Sequence, residues 1–250
     1  MKLVRDTTEQ ITIDRRFNGP PNSGHGGYVC GLIANYIGNC AEITLRAPPP
    51  LGKSLTVERL GGGKVRLSDA EVTIAEGRPA ELQLDIPNPP SLDESVNAAK
   101  AYPGFESHPF PRCFGCGHER AEGDGLRIFS APLTGREVLA APWFPDASLA
   151  GATGRVETEF LWAALDCPGG WAAWKLVSVL LPETPYILLG RFVAEVKAQP
   201  AAGQKCITIG WPIENDGRKL FSGTAIFAEN GELLAAGRTT WIAAQPDPGV

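Results

Sequence analysis

The chain has 250 residues, of which 43% are hydrophobic and 20% charged, and its net charge is −5. This composition is typical of a folded globular protein, and the acidic balance excludes a general electrostatic attraction to nucleic acid or anionic membranes. No apolar run approaches the roughly 18 residues that span a bilayer, and the N-terminal residues lack the apolar region of a signal peptide. We therefore expect a cytoplasmic protein with no nucleic-acid or membrane partner, and six reduced cysteines.

The first half of the sequence predicts one helix among several strands. An alternating pattern predicts a strand over 10–16, and a turn rich in Gly, Pro and Asn precedes a helix over 24–37. The strands expected after the helix are separated by breaks rich in Pro and Gly, and they cover 41–47, 54–60, 64–75 and 80–86. One helix followed by a run of antiparallel strands is an α+β pattern, unlike alternating βαβ units.

The second half repeats this layout after a segment over 87–111 that is rich in Pro, Ser and Asn and resembles a domain connection. A second helix is expected within 156–180. The strands expected in this half cover 125–131, 137–141, 187–197, 205–211, 219–228 and 233–242. We predict an N-terminal domain over 1–95, a linker with a Cys-x-x-Cys loop over 96–123, and a C-terminal domain over 124–250.

Short sequence similarities connect the two halves. Ala41-Glu42-Ile43 is similar to Ala194-Glu195-Val196, and Gly62-Gly63-Lys64 is similar to Gly217-Arg218-Lys219. Each match is short, but the matches occur in the same order in both halves. The period is too long for a solenoid repeat, so the pattern predicts a tandem duplication of one domain.

The start of the first helix, His25-Gly26-Gly27, is the most informative motif. A helix start leaves backbone N–H groups unpaired, and its partial positive charge favours an anion or a developing oxyanion. No Asp, Glu, Lys or Arg occurs from Gly19 through Cys40, so a carboxylate that transfers protons must come from another segment. Asn22 is a further candidate for holding a water or a carbonyl, and it is equally typical of a turn.

A histidine and two glycines that open an apolar helix, followed by a strand meander with a Pro-x-Gly turn, resemble the hotdog fold of acyl-CoA thioesterases. Cys113-Phe114-Gly115-Cys116-Gly117 is similar to a leader found in some of these enzymes. The resemblance covers nearly the whole chain and implies a double hotdog, with two curved antiparallel sheets that each wrap a central helix. It implies an acyl-CoA or related thioester substrate and no cofactor, and it allows further pairing of chains into a homodimer.

Each half departs from the family pattern in the opposite way. Family members carry an acidic residue nine positions after the histidine, where this chain has Ala34 followed by Asn35, and neither side chain can act as a base. In the second half, Asp166 resembles the acidic residue of the family, but Glu157-Thr158-Glu159 stands where the glycines belong. The resemblance therefore implies one composite site, in which the helix start at 25–27 faces Asp166, and a second, inactive pairing.

The chemistry implied by the resemblance is thioester hydrolysis. The N–H of Gly26 or Gly27 would polarise the carbonyl, Asp166 would act as general base or nucleophile, and His25 would be catalytic or would orient the loop. In the structural alternative, the glycines only allow close packing and Asp166 is a satisfied buried group. A non-catalytic acyl-CoA or lipid-binding protein is the alternative function, and the Asp-x4-His spacing of a hydratase does not occur.

A metal site is a further possibility at His108, Cys113, Cys116 and His118, which lie within eleven residues. Four such ligands could hold zinc in a tetrahedral site. A single Cys-x-x-Cys is a weak signal, however, and His118 follows Cys116 too closely for a regular zinc finger. We therefore expect a structural loop without metal, and the absence of a βαβ context argues against a redox role.

Overall fold

The computed structural model describes residues 8–181 and 183–244. In this part of the chain, eleven strands and three α-helices follow an α+β order. In chain order they are β1 (Thr8–Thr12), α1 (Gly26–Ala34), β2 (Cys40–Leu45), β3 (Ser54–Arg59), β4 (Val65–Asp69), β5 (Val72–Pro79), α2 (Leu92–Ala99), β6 (Ala131–Pro132), β7 (Leu139–Trp143), α3 (Thr158–Leu180), β8 (Ile187–Val196), β9 (Cys206–Asp216), β10 (Lys219–Ala228) and β11 (Leu233–Ala243).

The described strands form one antiparallel sheet in the order β1-β3-β4-β5-β2-β8-β11-β10-β9-β7-β6. The prediction of two separate sheets is corrected by the pairing of β2 with β8, which joins the halves edge to edge. A sheet edge presents a row of unpaired backbone N–H and C=O groups, and pairing two such edges satisfies both rows. The strand pattern of each half therefore carries no signal that distinguishes two sheets from one.

The two halves of the sheet have the same strand order. The first half runs β1-β3-β4-β5-β2, the second runs β7-β9-β10-β11-β8, and each has its central helix after its first strand. The β2–β8 pairing is symmetric about Ala41 and Ala194, which face each other. These are the alanines of the similar segments in the sequence, so the sequence similarity joins positions that are equivalent in the fold.

Several strand predictions are wrong in their extent. Only 10–12 of the segment 10–16 lies in β1, and Arg15–Phe17 is a short 3-10 helix. The segment 64–75 is two strands, β4 and β5, separated by a tight turn at Ala70, which has a φ of 50°. The segment 80–86 runs extended outside the ladder, although its alternating apolar side chains pack on the outer face of the second half of the sheet. Only the end of 125–131 joins the sheet, as part of β6. Alternation predicts which side chains are buried, whereas a strand also needs a free neighbouring edge.

The segment predicted as a plain connection contains a helix, α2. Ser91 and Glu94 form a capping box: the Ser91 N–H donates to the Glu94 carboxylate (2.7 Å), and the Glu94 N–H donates to the Ser91 hydroxyl (3.2 Å). This Ser-x-x-Glu pattern is a recognised helix-start signal. The helix packs against β7, so the connection lies on the sheet.

Helices α1 and α3 pack against each other at two glycines of α1. A Cβ on Gly27 would lie 2.5 Å from the carbonyl oxygen of Trp162, and one on Gly31 would lie 2.4 Å from the Cα of Glu159. Only glycine allows so close an approach of two backbones. None of the described helices has both the length and the apolarity needed to cross a membrane.

Candidate active site

The start of α1 is held in place by backbone hydrogen bonds to one earlier and one later segment of the chain. The His25 N–H donates to the carbonyl of Phe17 and the Gly24 N–H to that of Pro49, both at 2.8 Å. His25 is the N-cap residue, and its Nδ1 lies 3.3 Å from the Tyr28 N–H in accepting geometry. The two residues that precede the first residue of α1 are therefore fixed by the rest of the fold.

Asp166 of α3 lies directly opposite this helix start. Its Oδ2 accepts a hydrogen bond from the Gly27 N–H (2.7 Å) and lies 3.3 Å from His25 Nδ1. Its Oδ1 is buried and has no hydrogen-bond partner among the described residues. The structure thus brings together three of the predicted site residues, although Asp166 lies 139 positions after Gly27 in the sequence.

Burial shifts the pKa values of both groups of this pair. Desolvation raises the pKa of Asp166 to about 6, against the opposing effects of His25 and of the Gly27 N–H. For His25, desolvation lowers the pKa, but the neighbouring Asp166 and Cys113 together raise it by more, so the net shift is upward. The carboxylate and the imidazole therefore form a coupled pair, in which the protonation of each depends on that of the other.

The two glycine amides differ in what they offer a ligand. The Gly27 N–H is occupied by Asp166, whereas the Gly26 N–H has no acceptor among the described residues. Gly26 is partly exposed, and a Cβ there would contact Leu189 (3.0 Å) and Leu45 (3.4 Å). An unpaired amide beside apolar side chains is suited to an oxyanion that develops on an acyl group.

Asn22, also predicted as a site residue, lies apart from this arrangement. It is exposed in the turn before the helix, and no described hydrogen bond joins its side chain to His25, Gly27 or Asp166. The turn position predicted by its residue type is correct. A functional role for Asn22 stays a prediction.

The opposite end of the helix pair holds the second predicted pairing. Glu157 is the N-cap of α3 and makes no side-chain capping bond within the described chain, and Glu159 lies in the first turn. The Asn35 side-chain amide donates to the Glu159 carboxylate (2.9 Å). A cavity of about 340 Å³ opens here, lined in part by Asn35, Thr158 and Gln199.

A cluster of thiols lies on the other side of the His25 ring. His25 Nε2 is 3.4 Å from Cys167 Sγ, which is 3.9 Å from Cys113 Sγ. Hydrogen bonds from Cys116 and Cys167 lower the pKa of the Cys113 thiol well below its usual value, although burial opposes the shift. The ligand set considered from the sequence is therefore divided, because Cys116 lies 3.3 Å from His108 Nε2 while Cys113 faces His25 and Cys167.

Two parts of this region carried no motif that would have identified them. Cys167 is adjacent to Asp166 in the sequence but lies far from the Cys-x-x-Cys loop. Arg120 is buried, and its guanidinium donates to the backbone carbonyls of Arg112 (2.8 Å) and Arg16 (2.6 Å). Arg120 thereby fastens the cysteine loop to the chain that leads into α1, a role that only the folded contacts reveal.

Comparison with known proteins shows likeness in structure but none in sequence. No protein-family model and no curated protein matches the sequence. A putative thioesterase from Novosphingobium aromaticivorans aligns over 97% of both chains with a TM-score of 0.61 at 13% identity. An acyl-CoA thioesterase II, TesB2, from Mycobacterium marinum aligns over 100% of this chain and 97% of its own with a TM-score of 0.61 at 14% identity.

A third similar structure is described by its fold. A conserved protein of unknown function with a hot dog fold, from Alicyclobacillus acidocaldarius, aligns over 98% of this chain and 96% of its own with a TM-score of 0.58 at 10% identity. Likeness at such low identity establishes the fold and not the activity. The chain therefore has the hotdog fold of these thioesterase structures along nearly its full length.

Proposed function

We propose that this protein hydrolyses an acyl-CoA or related thioester at one composite site, where the start of α1 meets Asp166 of α3. The observation that carries the proposal is the buried Oδ1 of Asp166, which has no described partner while Oδ2 is held by Gly27 and His25. A buried polar atom without a hydrogen bond is costly, by about 1–3 kcal/mol or more for a charged group. A water or a polar substrate group at Oδ1 would satisfy it.

The proposed reaction uses both helices. The thioester carbonyl accepts a hydrogen bond from the Gly26 N–H, and one such donor typically stabilises the transition state by about 3–4 kcal/mol. Asp166 Oδ1 takes a proton from a water that attacks the carbonyl carbon, or it attacks directly to form a mixed anhydride. In the first case the C–S bond breaks and the proton that Asp166 took passes to the leaving thiolate. In the second case C–S cleavage leaves the acyl group on Asp166, and a water then hydrolyses the anhydride, frees the acid and supplies the proton for the thiolate. The Gly27 N–H and His25 fix the other carboxylate oxygen throughout.

We also infer that the chain arose by tandem duplication. The equal strand order of the halves and the symmetric pairing about Ala41 and Ala194 support this inference. The corresponding division into 1–95, 96–123 and 124–250 stays a prediction, as do the cytoplasmic location and the homodimer. On this inference the composite site exists only once, because the residues needed for it were kept in different copies.

The test is an assay of the hydrolysis of a panel of acyl-CoA esters, in which the release of free thiol is measured. We expect the Asp166→Asn variant to lose at least about 100-fold in kcat, the usual contribution of a general base, while its circular dichroism spectrum stays unchanged. Glu159→Gln is the matched control, since it removes a carboxylate from the equivalent opposite end, and it should keep full activity. Wild-type turnover in a folded Asp166→Asn variant would refute the proposed site.

A non-catalytic acyl-CoA-binding protein is the second candidate function. It is favoured by the Gly27 N–H, which is occupied by Asp166 and is not free for a substrate. This alternative predicts that the wild-type protein binds CoA esters in calorimetry but releases no thiol for any chain length. Detectable turnover that depends on Asp166 would exclude it.

A further inference from the structure

We propose that His25, Cys113, Cys116 and Cys167 bind one zinc ion that fastens the cysteine loop to both central helices. Three separate segments contribute: the start of α1, the loop before β6, and the middle of α3. One ligand atom from each of His25, Cys113 and Cys167 lies within 4.8 Å of the others, and all three residues are buried. Imidazole nitrogen and thiolate sulfur are the ligands that zinc prefers in structural sites.

Two distances within the cluster match those of a tetrahedral zinc site. With Zn–S and Zn–N bonds of about 2.3 and 2.0–2.1 Å, neighbouring ligand atoms lie about 3.8 Å apart for two sulfurs and about 3.6 Å for sulfur and nitrogen. The observed separations are 3.9 Å between the sulfurs of Cys113 and Cys167 and 3.4 Å from Cys167 Sγ to His25 Nε2. The cluster is thus spaced for a shared ion before any ion binds.

Gly115 lets the loop approach these ligand atoms. A Cβ at this position would lie 2.3 Å from Cys167 Sγ and 2.7 Å from His25 Nε2, so any other residue would collide with both. A glycine is therefore required between the two cysteines of the loop, because a side chain there would collide with two of the proposed ligand atoms. The loop is built around the cluster.

Cys116 is the fourth ligand of the proposed site. It belongs to the same loop as Cys113, and its sulfur lies 3.3 Å from His108 Nε2. Cys116 stands outside the group whose ligand atoms all lie within 4.8 Å, so its side chain must turn from His108 toward the other sulfurs. The Cys-x-x-Cys spacing allows both thiolates of one loop to bind the same ion.

A zinc ion on Nε2 would also settle the proton on the other nitrogen of His25. Nδ1 must then carry the proton, which it donates to Asp166 Oδ2 at 3.3 Å, so it no longer accepts from Tyr28. A metal-bound histidine that donates to a carboxylate is a common supporting arrangement in zinc sites. In the composite site His25 then acts as a positioning residue for Asp166.

The test is the metal content of the full-length protein, produced without a histidine tag in zinc-supplemented medium. Mass-spectrometric metal analysis should find about one zinc per chain, as a closed four-ligand site predicts. Cys113→Ser and Cys167→Ser should each lower this to less than about one fifth. Cys206→Ser is the matched control, because Cys206 is a buried free thiol whose pKa is raised by burial alone, and it should keep the zinc.

A second measurement on the wild-type protein covers the case in which the serine variants do not fold. Chelator-treated protein reloaded with Co²⁺ should show the intense visible bands and thiolate charge-transfer absorption of tetrahedral sulfur ligation. Zinc in fewer than about one chain in ten, with no such bands, would overturn the proposal. So would zinc retained by both ligand variants, or an intact mass that shows a disulfide.

The outcome is separable from that of the hydrolysis test. Asp166→Asn should keep zinc at the concentrations of the metal analysis, because Asp166 supports the ligand His25 without binding the ion, and changes to such supporting groups typically weaken binding about 10–100-fold. Zinc without thioester hydrolysis would support the metal site and refute the proposed enzymatic activity. Hydrolysis without zinc would support the activity and refute the metal site.

Discussion

The starts of α1 and α3 hold equivalent places in the two halves of the fold, yet they carry opposite chemistry. At α1 the helix start has no acidic side chain of its own and is largely buried, and the carboxylate comes from the facing helix as Asp166. At α3 the start carries its own carboxylate, Glu159, and the facing helix contributes the amide of Asn35 beside an open cavity.

Burial, more than the distance between carboxylate and donor, distinguishes the two ends. Each has a carboxylate next to a hydrogen-bond donor at a helix start. Only the end with Asp166 is shielded from water, where an unpaired carboxylate oxygen is costly and therefore reactive toward a proton. Asn35 is exposed, and a solvated pair contributes little to stability or chemistry.

Glycine substitutions in α1 should have the largest effect on the free energy of unfolding, and the effect should be equal at the two ends. Gly27→Ala and Gly31→Ala are each expected to lower the free energy of unfolding by about 2–3 kcal/mol, since the new methyl groups meet the backbone of Trp162 and Glu159. Urea denaturation measures the change. Gly61→Ala is the control, because no described atom lies within 4 Å of the place that its new methyl group would take. A loss at only one end would show that the helices do not pack as one rigid pair.

Substitutions of the N-cap residues should change the free energy of unfolding by different amounts at the two ends. In metal-free protein, His25→Ala removes the side chain that caps the Tyr28 N–H and lies beside Asp166, and it is expected to lower the free energy of unfolding by at least about 1 kcal/mol. Glu157→Ala at the start of α3 should change it by less than about 0.5 kcal/mol, because Glu157 makes no side-chain capping bond in the described chain. Equal losses in thermal denaturation would contradict the comparison.

The smallest effect is expected at Asn35. Asn35→Asp places two carboxylates together at the open end and should lower the free energy of unfolding by about 0.5 kcal/mol, through lost hydrogen bonding and repulsion with Glu159. The same change creates a carboxylate close to where the family carries one. We expect no added thioester hydrolysis, since the start of α3 lacks glycines. An increase over wild type would mean that the second end is also a working site.

Several features of the site could be predicted from the sequence because they depend on local spacing. The residue counts after His25 and before Asp166 show where each half departs from the family pattern, and the resemblance to hotdog thioesterases then implies that the two helices pair across the halves. The predicted strand over 219–228 agrees with β10. Its apolar residues are buried on both faces of the strand, which is the pattern of a strand covered on both sides. Helix α2 shows a signal that was present and missed, because Ser91 and Glu94 carry the capping pattern within a segment that otherwise resembles a linker.

The sequence predicts the α+β class, a central helix in each half and the residues at each helix start, whereas α2 and the extent of several strands do not follow from it. The tertiary structure decided that β2 pairs with β8 in a single sheet, and that Cys167 and His25 stand beside Cys113. The physical reason is that hydrophobic periodicity and residue spacing act over a few turns of chain. Which distant edges and side chains meet depends instead on packing, here on how closely two glycines let α1 approach α3.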